Sequence, residues 1–192
     1  MKHRNGKLEV ITGPMFCGKT DELIRRLRRA TIAKQKVQVY KPSFDTRYGA
    51  KKVTSHAGNE FEAFPIKNVS EIREHLSDDI TVVAIDEAQF FDADILPIVA
   101  QLVEDQIRVI VAGLDMDFRG EPFGQMPNLM AKAEEVNKLS AICMTCGEAA
   151  SRTQRLVDGE PAHYDDPIVI VGAAELYEPR CRKHHIVLRT KE

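Results

Sequence analysis

At 192 residues, with 43% hydrophobic and 29% charged side chains, the chain has the make-up of a soluble globular protein of one medium domain, with room for a small appendage. A formal net charge of −2 argues against a duplex nucleic-acid binder, which carries a basic surplus. No apolar run approaches a membrane span and MKHRNGKLEV lacks the apolar core of a secretion signal, so a cytoplasmic protein that contacts neither membrane nor nucleic acid is expected.

In chain order, residues 8–12 (LEVIT) read as a buried strand. GPMFCGKT follows at residues 13–20, and the run DELIRRLRRATIAK predicts a helix from Lys19. The arginine stripe in that helix is expected to face solvent. Residues 37–41 (VQVYK) form a second strand. Residues 44–63 are polar and contain glycine, with only short strand signals, and suggest a mobile flap. A short helix near residues 70–76 precedes a third strand at residues 80–86 (ITVVAID). Asp92 is placed to cap a helix running to about Glu104, and residues 108–114 (RVIVAGL) make a fourth strand. Apolar runs that do not alternate, separated by helices, indicate a parallel sheet buried on both faces. The expected fold class is α/β, a P-loop NTPase-like parallel sheet flanked by helices, over residues 1–137.

After Asn137 the texture changes. Residues 138–157 carry two short strand-like runs around a Cys-x-x-Cys turn. Polar DGEPAHYDDP follows, then IVIVG, a loop and CRKHHIVLR. Residues 138–192 therefore read as a small β domain held by something other than a large core.

Gly13-x-x-x-x-Gly18-Lys19-Thr20 matches the phosphate-loop pattern G-x-x-x-x-G-K-[ST] in full, between a strand and a helix. Its glycines let successive backbone N–H groups turn inward as a nest for phosphate oxygens, and the helix start adds its positive end. The loop of Gly13, Pro14, Met15, Phe16, Cys17 and Gly18 would cradle ATP. Lys19 would reach the β- and γ-phosphates, and Thr20 would give its hydroxyl to Mg²⁺. VVAIDEAQFF supplies the second half of such a site. Asp86 ends a buried strand and would hold Mg²⁺, while Glu87, expected on the opposite side by pleat alternation, is the candidate general base. Adjacent buried carboxylates are costly to desolvate and so point to function; Asp92 fills the alternative role of helix cap better than they do.

DEAQ also has the look of a helicase DEAx box. Such motors need two lobes and a basic track for a strand, and this chain offers neither. A regulatory nucleotide binder without turnover is the third reading, and it has no need of a carboxylate beside the Mg²⁺ ligand.

The four cysteines include Cys143-x-x-Cys146, followed after 34 residues by Cys181-x-x-His184. Two chelating pairs can complete a closed tetrahedral Cys₃His shell, which would bind structural zinc and staple the small β domain. His185 competes with His184, which keeps the two-residue spacing. Cys17 stands apart as a small residue filling the loop.

Together GPMFCGKT, KPSFDTRY, IDEAQFF, GLDMDFRGEPF, CMTCGEAA and YEPRCRKHH resemble, in order and over nearly the whole chain, the type II thymidine kinases of many bacteria and animal cytosol. That resemblance implies ATP plus thymidine giving ADP plus thymidine monophosphate, with Mg²⁺, a homotetramer, and feedback inhibition by thymidine triphosphate. Deoxyuridine is expected as a further acceptor. It implies Glu87 as the base for the 5′-hydroxyl, Asp45 and Arg47 as flap residues near the phosphates, and Gln89 as a nucleotide-binding position. Met15, Phe90, Leu114, Phe118, Phe123 and Thr153 match positions around the thymine. Residues 168–177 resemble the family's lasso over the base, in which Ile168, Ile170, Val171, Gly172 and Tyr177 would close the site. The chain departs from relatives at Cys17, where many have Ser, and at His184, where animal members have Cys.

Overall fold

The computed structural model describes residues 6–43, 52–55, 58–168 and 177–189. Its elements in chain order are β1 (Lys7–Thr12), α1 (Lys19–Ile32), β2 (Val37–Pro42), β3 (Lys52–Thr54), β4 (Glu60–Glu62), β5 (Phe64–Ile66), α2 (Glu71–His75) and β6 (Val82–Ile85). After one 3₁₀ turn (Ala88–Phe90) come α3 (Ile95–Glu104), β7 (Arg108–Gly113), α4 (Met126–Lys132), β8 (Glu135–Lys138) and β9 (Ala141–Ile142). The chain continues through β10 (Ala149–Ala150), β11 (Arg152–Val157), β12 (Glu160–Pro161) and β13 (Tyr177–Arg180).

Six strands form one sheet in the order β5-β2-β6-β7-β1-β8, and each neighbouring pair is parallel. Successive side chains of a strand point to opposite faces, and here both faces are covered. Val10, Val83, Ile85, Val109 and Val111 pack under α2, α3 and α4 through Ile72, Ile95, Val99, Met126 and Leu129. Ile11, Val39, Val82, Ala84, Ile110 and Ala112 pack against Leu23, Leu27 and Ala30 of α1. Each such fully buried Leu, Ile or Val contributes about 1.5–3 kcal/mol of transfer free energy.

The four strands expected from the sequence are the adjacent four, β2, β6, β7 and β1. Both edge strands escaped the sequence pattern. β5, FPI, is apolar but only three residues long, and β8 reads EVNK and is largely exposed, so neither writes an apolar run of strand length. α4 is also short, at seven residues. The cap of α3 is displaced from expectation: the helix begins at Ile95 after Asp94. Asp92 instead accepts the Asp94 N–H on its carboxylate at 3.1 Å, closing a turn before the helix.

Not all of the arginine stripe faces water. Arg26 is 6% exposed and meets Glu9, an acid in the middle of β1 that is 1% exposed. Glu9 accepts from Arg108 Nε at 2.6 Å and Nη2 at 2.9 Å and from Arg26 Nη1 at 2.6 Å, and Lys7 Nζ lies 2.6 Å away. Burial pushes the Glu9 carboxyl up, but the hydrogen bonds of Arg108, Lys7 and Arg26 prevail and hold it down at about 2. This cluster clamps α1 to the amino-terminal ends of β1 and β7, opposite the loop that β1 leads into.

Beyond β8 the strands are short except for the six-residue β11. β9 pairs with β10, and β11 pairs with both β12 and β13, all antiparallel. The first part of DGEPAHYDDP is the tip of the β11–β12 hairpin, with Asp158 and Gly159 at φ 51° and 84°. In the expected flap, β3 and β4 form an antiparallel hairpin; residues 44–51 and 56–57 lie outside the described residues. Among the described residues, no helix is long and apolar enough to cross a membrane.

Candidate active site

Because β7 lies between β1 and β6 in a parallel sheet, the segments after Thr12 and Ile85 emerge at the same carboxyl edge, on either side of Gly113. That is where an open α/β sheet offers a crevice for a ligand. The two halves of the sequence signature meet there.

The loop expected to hold phosphate runs from Gly13 to the first turn of α1, where Gly18 is the N-cap in the left-handed region. Gly13 has no substitute at its position. Its φ is 138°, and a Cβ would stand 2.4 Å from Leu139 O and 2.9 Å from Cys17 Sγ. Phe16 is held at φ 64°, costly for an aromatic residue and of the kind found where a loop is shaped for a ligand. Lys19 folds over the loop, with Nζ donating to Pro14 O at 2.7 Å and lying 3.7 Å from Cys17 Sγ. Met15 N–H is already engaged, donating to Thr153 Oγ1 at 3.0 Å.

On the other side of Gly113, β6 stops at Ile85. Asp86 N–H still donates to Tyr40 O at 2.9 Å, and the Asp86 side chain is 7% exposed. The acids are not separated by pleat alternation, as the sequence suggested. Glu87 adopts φ 51° and ψ 41°, so a left-handed turn sets its direction. Its N–H donates to Asp86 Oδ1 at 3.0 Å. Gln89 Nε2 donates to Glu87 Oε2 at 2.5 Å, and Gln89 Oε1 accepts the Leu114 N–H at 3.0 Å. Thr20 is half-buried in the first turn of α1. A hydroxyl and a buried carboxylate are hard oxygen donors, the chemistry that Mg²⁺ selects.

The residues expected around the base divide into groups. Phe90 and Phe123 meet edge to face with centroids 5.5 Å apart. Leu114 joins Glu87 through Gln89, and Thr153 joins Met15. Phe118 is buried; Arg155 Cζ lies 5.3 Å over its ring, and its carbonyl meets His185 Nε2 at 2.8 Å. Tyr177 lies in β13 opposite Arg155. Ile168 is 38% exposed. Asp45, Arg47, Ile170, Val171 and Gly172 lie outside the described residues.

Sequence reasoning passed over Asp115, two residues beyond β7. It is 6% exposed, and its Oδ2 lies 2.7 Å from Lys138 Nζ at the end of β8. The signal was available, since an acid just past a buried strand is the same feature that marked Asp86. Arg155, which also donates to Pro167 O at 2.6 Å, carried no comparable signal.

The sulfur and nitrogen atoms of Cys143, Cys146, Cys181 and His184 lie within 4.8 Å of one another. Cys146 and Cys181 sulfurs are 3.8 Å apart, and His184 Nδ1 lies 3.2 Å from Cys181 Sγ and 3.8 Å from Cys143 Sγ. A tetrahedron with Zn–S bonds near 2.3 Å has S···S edges of about 3.8 Å, so the donors fit zinc. Burial raises the Cys143 thiol, but the backbone N–H groups of Cys181, Thr145 and Cys146, with the His184 ring, hold it down at about 5, the thiolate a metal needs. His185 is turned away. Its Nε2 must carry the proton it shares with Phe118 O, because a carbonyl only accepts. The cluster also touches the phosphate loop: Cys17 and Cys181 pack on Ala141, Cys143 and Ala150.

The family model described as "Thymidine kinase" matches residues 6–185. Among solved structures, domain III of the Thermotoga maritima replication initiation protein DnaA is similar over 73% of this chain at 18% identity and a TM-score of 0.41. The chain spans 58% of that structure's length, and a likeness of this order carries no argument about function.

Proposed function

Since the chain belongs to the thymidine kinase family, a family of ATP-dependent phosphotransferases, we propose that it transfers the γ-phosphoryl group of ATP to the 5′-hydroxyl of thymidine, and also of deoxyuridine, in nucleotide salvage for DNA synthesis. Gly13 to Gly18 bind the phosphates through the loop backbone, and Lys19 exchanges its contact with Pro14 O for the β- and γ-oxygens. Mg²⁺, held by Thr20 and Asp86, would supply charge neutralisation across those oxygens. Glu87 takes the 5′-hydroxyl proton as the O–P bond forms and ADP leaves. Asp45 and Arg47 approach the phosphates from the flap.

Met15, Phe90, Leu114, Phe118, Phe123 and Thr153 enclose the base, and Ile168, Ile170, Val171, Gly172 and Tyr177 close over it. Structural zinc held by Cys143, Cys146, Cys181 and His184 staples a lasso domain of residues 138–192, distinct from the nucleotide-binding domain of residues 1–137. We further infer a cytoplasmic homotetramer inhibited by thymidine triphosphate, with no membrane or nucleic-acid partner.

One observation carries the chemistry: Glu87 stands one residue beyond Asp86, on a left-handed turn at the same sheet edge as the phosphate loop. The test is a γ-labelled ATP assay with thymidine. Label recovered in thymidine 5′-monophosphate supports the reading; label released only as inorganic phosphate contradicts it.

A further inference from the structure

We propose that Gln89 is a positioning residue of this reaction: its side-chain amide holds the Glu87 carboxylate in the orientation from which it accepts the hydroxyl proton. The inference rests on the reading of Glu87 as general base, and it assigns Gln89 a role apart from holding ATP.

The orientation of the amide follows from its partners. The Leu114 N–H can only donate, so the end of Gln89 that meets it, 3.0 Å away, is the oxygen. The end that meets Glu87 Oε2 at 2.5 Å is therefore the NH₂ group, a donor facing a carboxylate. A swapped amide would set N–H against N–H and oxygen against oxygen.

Glu87 follows the end of β6 with φ 51°, outside the strand ladder, and its own N–H is turned back on Asp86 Oδ1. Through Gln89 the carboxylate is tied to the backbone at the end of β7, a strand fully inside the sheet.

Gln89 itself is confined. It is 3% exposed. A Cβ on Gly113 would stand 2.6 Å from Gln89 Oε1, and one on Gly124 would stand 2.3 Å from its backbone oxygen. Two glycines thus leave the space that the side chain and backbone of Gln89 fill. A carboxylate has about four lone-pair sites, so accepting from Gln89 on Oε2 does not itself stop it from taking a proton. In the transfer, the acceptor O–H breaks as its oxygen bonds the γ-phosphorus, the bond from that phosphorus to the bridging oxygen breaks and ADP leaves, the proton passes to Glu87, and Gln89 keeps both of its own.

The test is a double-mutant cycle on the full chain with ATP, Mg²⁺ and thymidine. Gln89→Met removes both hydrogen bonds at nearly constant volume. Gln89→Glu keeps an acceptor for Leu114 N–H and sets an oxygen against Glu87, so it separates positioning from loss of the fold. Both variants should lose about 10- to 100-fold in kcat, the size expected for a misplaced reacting group, with KM for ATP within about threefold of the parent. In a Glu87→Ala background, neither substitution should lower kcat by more than about a further twofold, because a positioning residue has nothing left to position. Losses that multiply with Glu87→Ala, or that fall on KM for ATP with kcat kept, would overturn the role of Gln89 and leave Glu87 as the base. Normal kcat in Glu87→Ala alone would remove the base, and Gln89 with it.

Discussion

Thr153 Oγ1 accepts a hydrogen bond from the Met15 N–H at 3.0 Å, across 138 positions of sequence. Thr153 belongs to β11, in the short-stranded carboxyl-terminal region, whereas Met15 is in the phosphate loop. A residue expected to touch the base is thereby bonded to the loop expected to hold the donor. Thr153→Val keeps the branched shape and strands a half-buried N–H, at a cost of about 1–2 kcal/mol. KM for ATP should rise about 5- to 30-fold in that variant and stay near the parent value in Thr153→Ser, which keeps the hydroxyl. Equal ATP constants for the two variants would refute the tie.

Glu87→Gln keeps the shape of the side chain but cannot accept the proton. Its kcat should fall by about 10² to 10⁴, with ATP binding by titration calorimetry little changed. A variant that turns over at the parent rate would take Glu87 out of the mechanism.

Removal of the metal should be felt at the phosphate loop, because Cys17 packs on the same small cluster as Cys143 and Cys181. Cys143→Ser should lower bound zinc and the melting temperature, and should weaken ATP binding. Zinc content and Tm at parent values would exclude the staple; lowered zinc with unaltered ATP affinity would exclude its coupling to the loop.

Glu9 makes stability depend on acid. Its folded pKa of about 2 lies below the ordinary 4.5, so its contribution is complete above about pH 5 and disappears as pH falls toward 2. A shift from 4.5 to about 2 corresponds to about 3 kcal/mol. Glu9→Gln should therefore be destabilised by about that amount at pH 7 in urea unfolding, and the gap should close on acidification. A gap that does not change between pH 7 and pH 3 would contradict this account of Glu9.

The sheet interior and the glycine turn between β1 and α1 were legible in the sequence because each writes a local pattern: apolar runs such as ITVVAID, or fixed glycine spacing. The Cys₃His group was legible from paired spacing, which favoured His184 over His185, and the folded chain turns the latter to Phe118 O. What stayed hidden depends on long-range partners. Nothing local in LEVIT tells that Glu9 meets Arg108 and Arg26. Pleat alternation failed at Glu87 because the strand ends two residues earlier, and the cost of a left-handed glutamate shows only once its neighbours are in place. β8 was invisible because a short exposed edge strand needs no apolar face.

In the proposed reaction GPMFCGKT holds a phosphoryl donor while Glu87 faces a nucleoside. The measurement that tests it most directly is ADP release with ATP and Mg²⁺, adding thymidine, deoxycytidine, deoxyadenosine or single-stranded DNA one at a time. The account predicts release with thymidine and background rates with the other three additions. Release driven by single-stranded DNA and not by thymidine would contradict it, and would make the DEAQ stretch part of a nucleic-acid-stimulated ATPase.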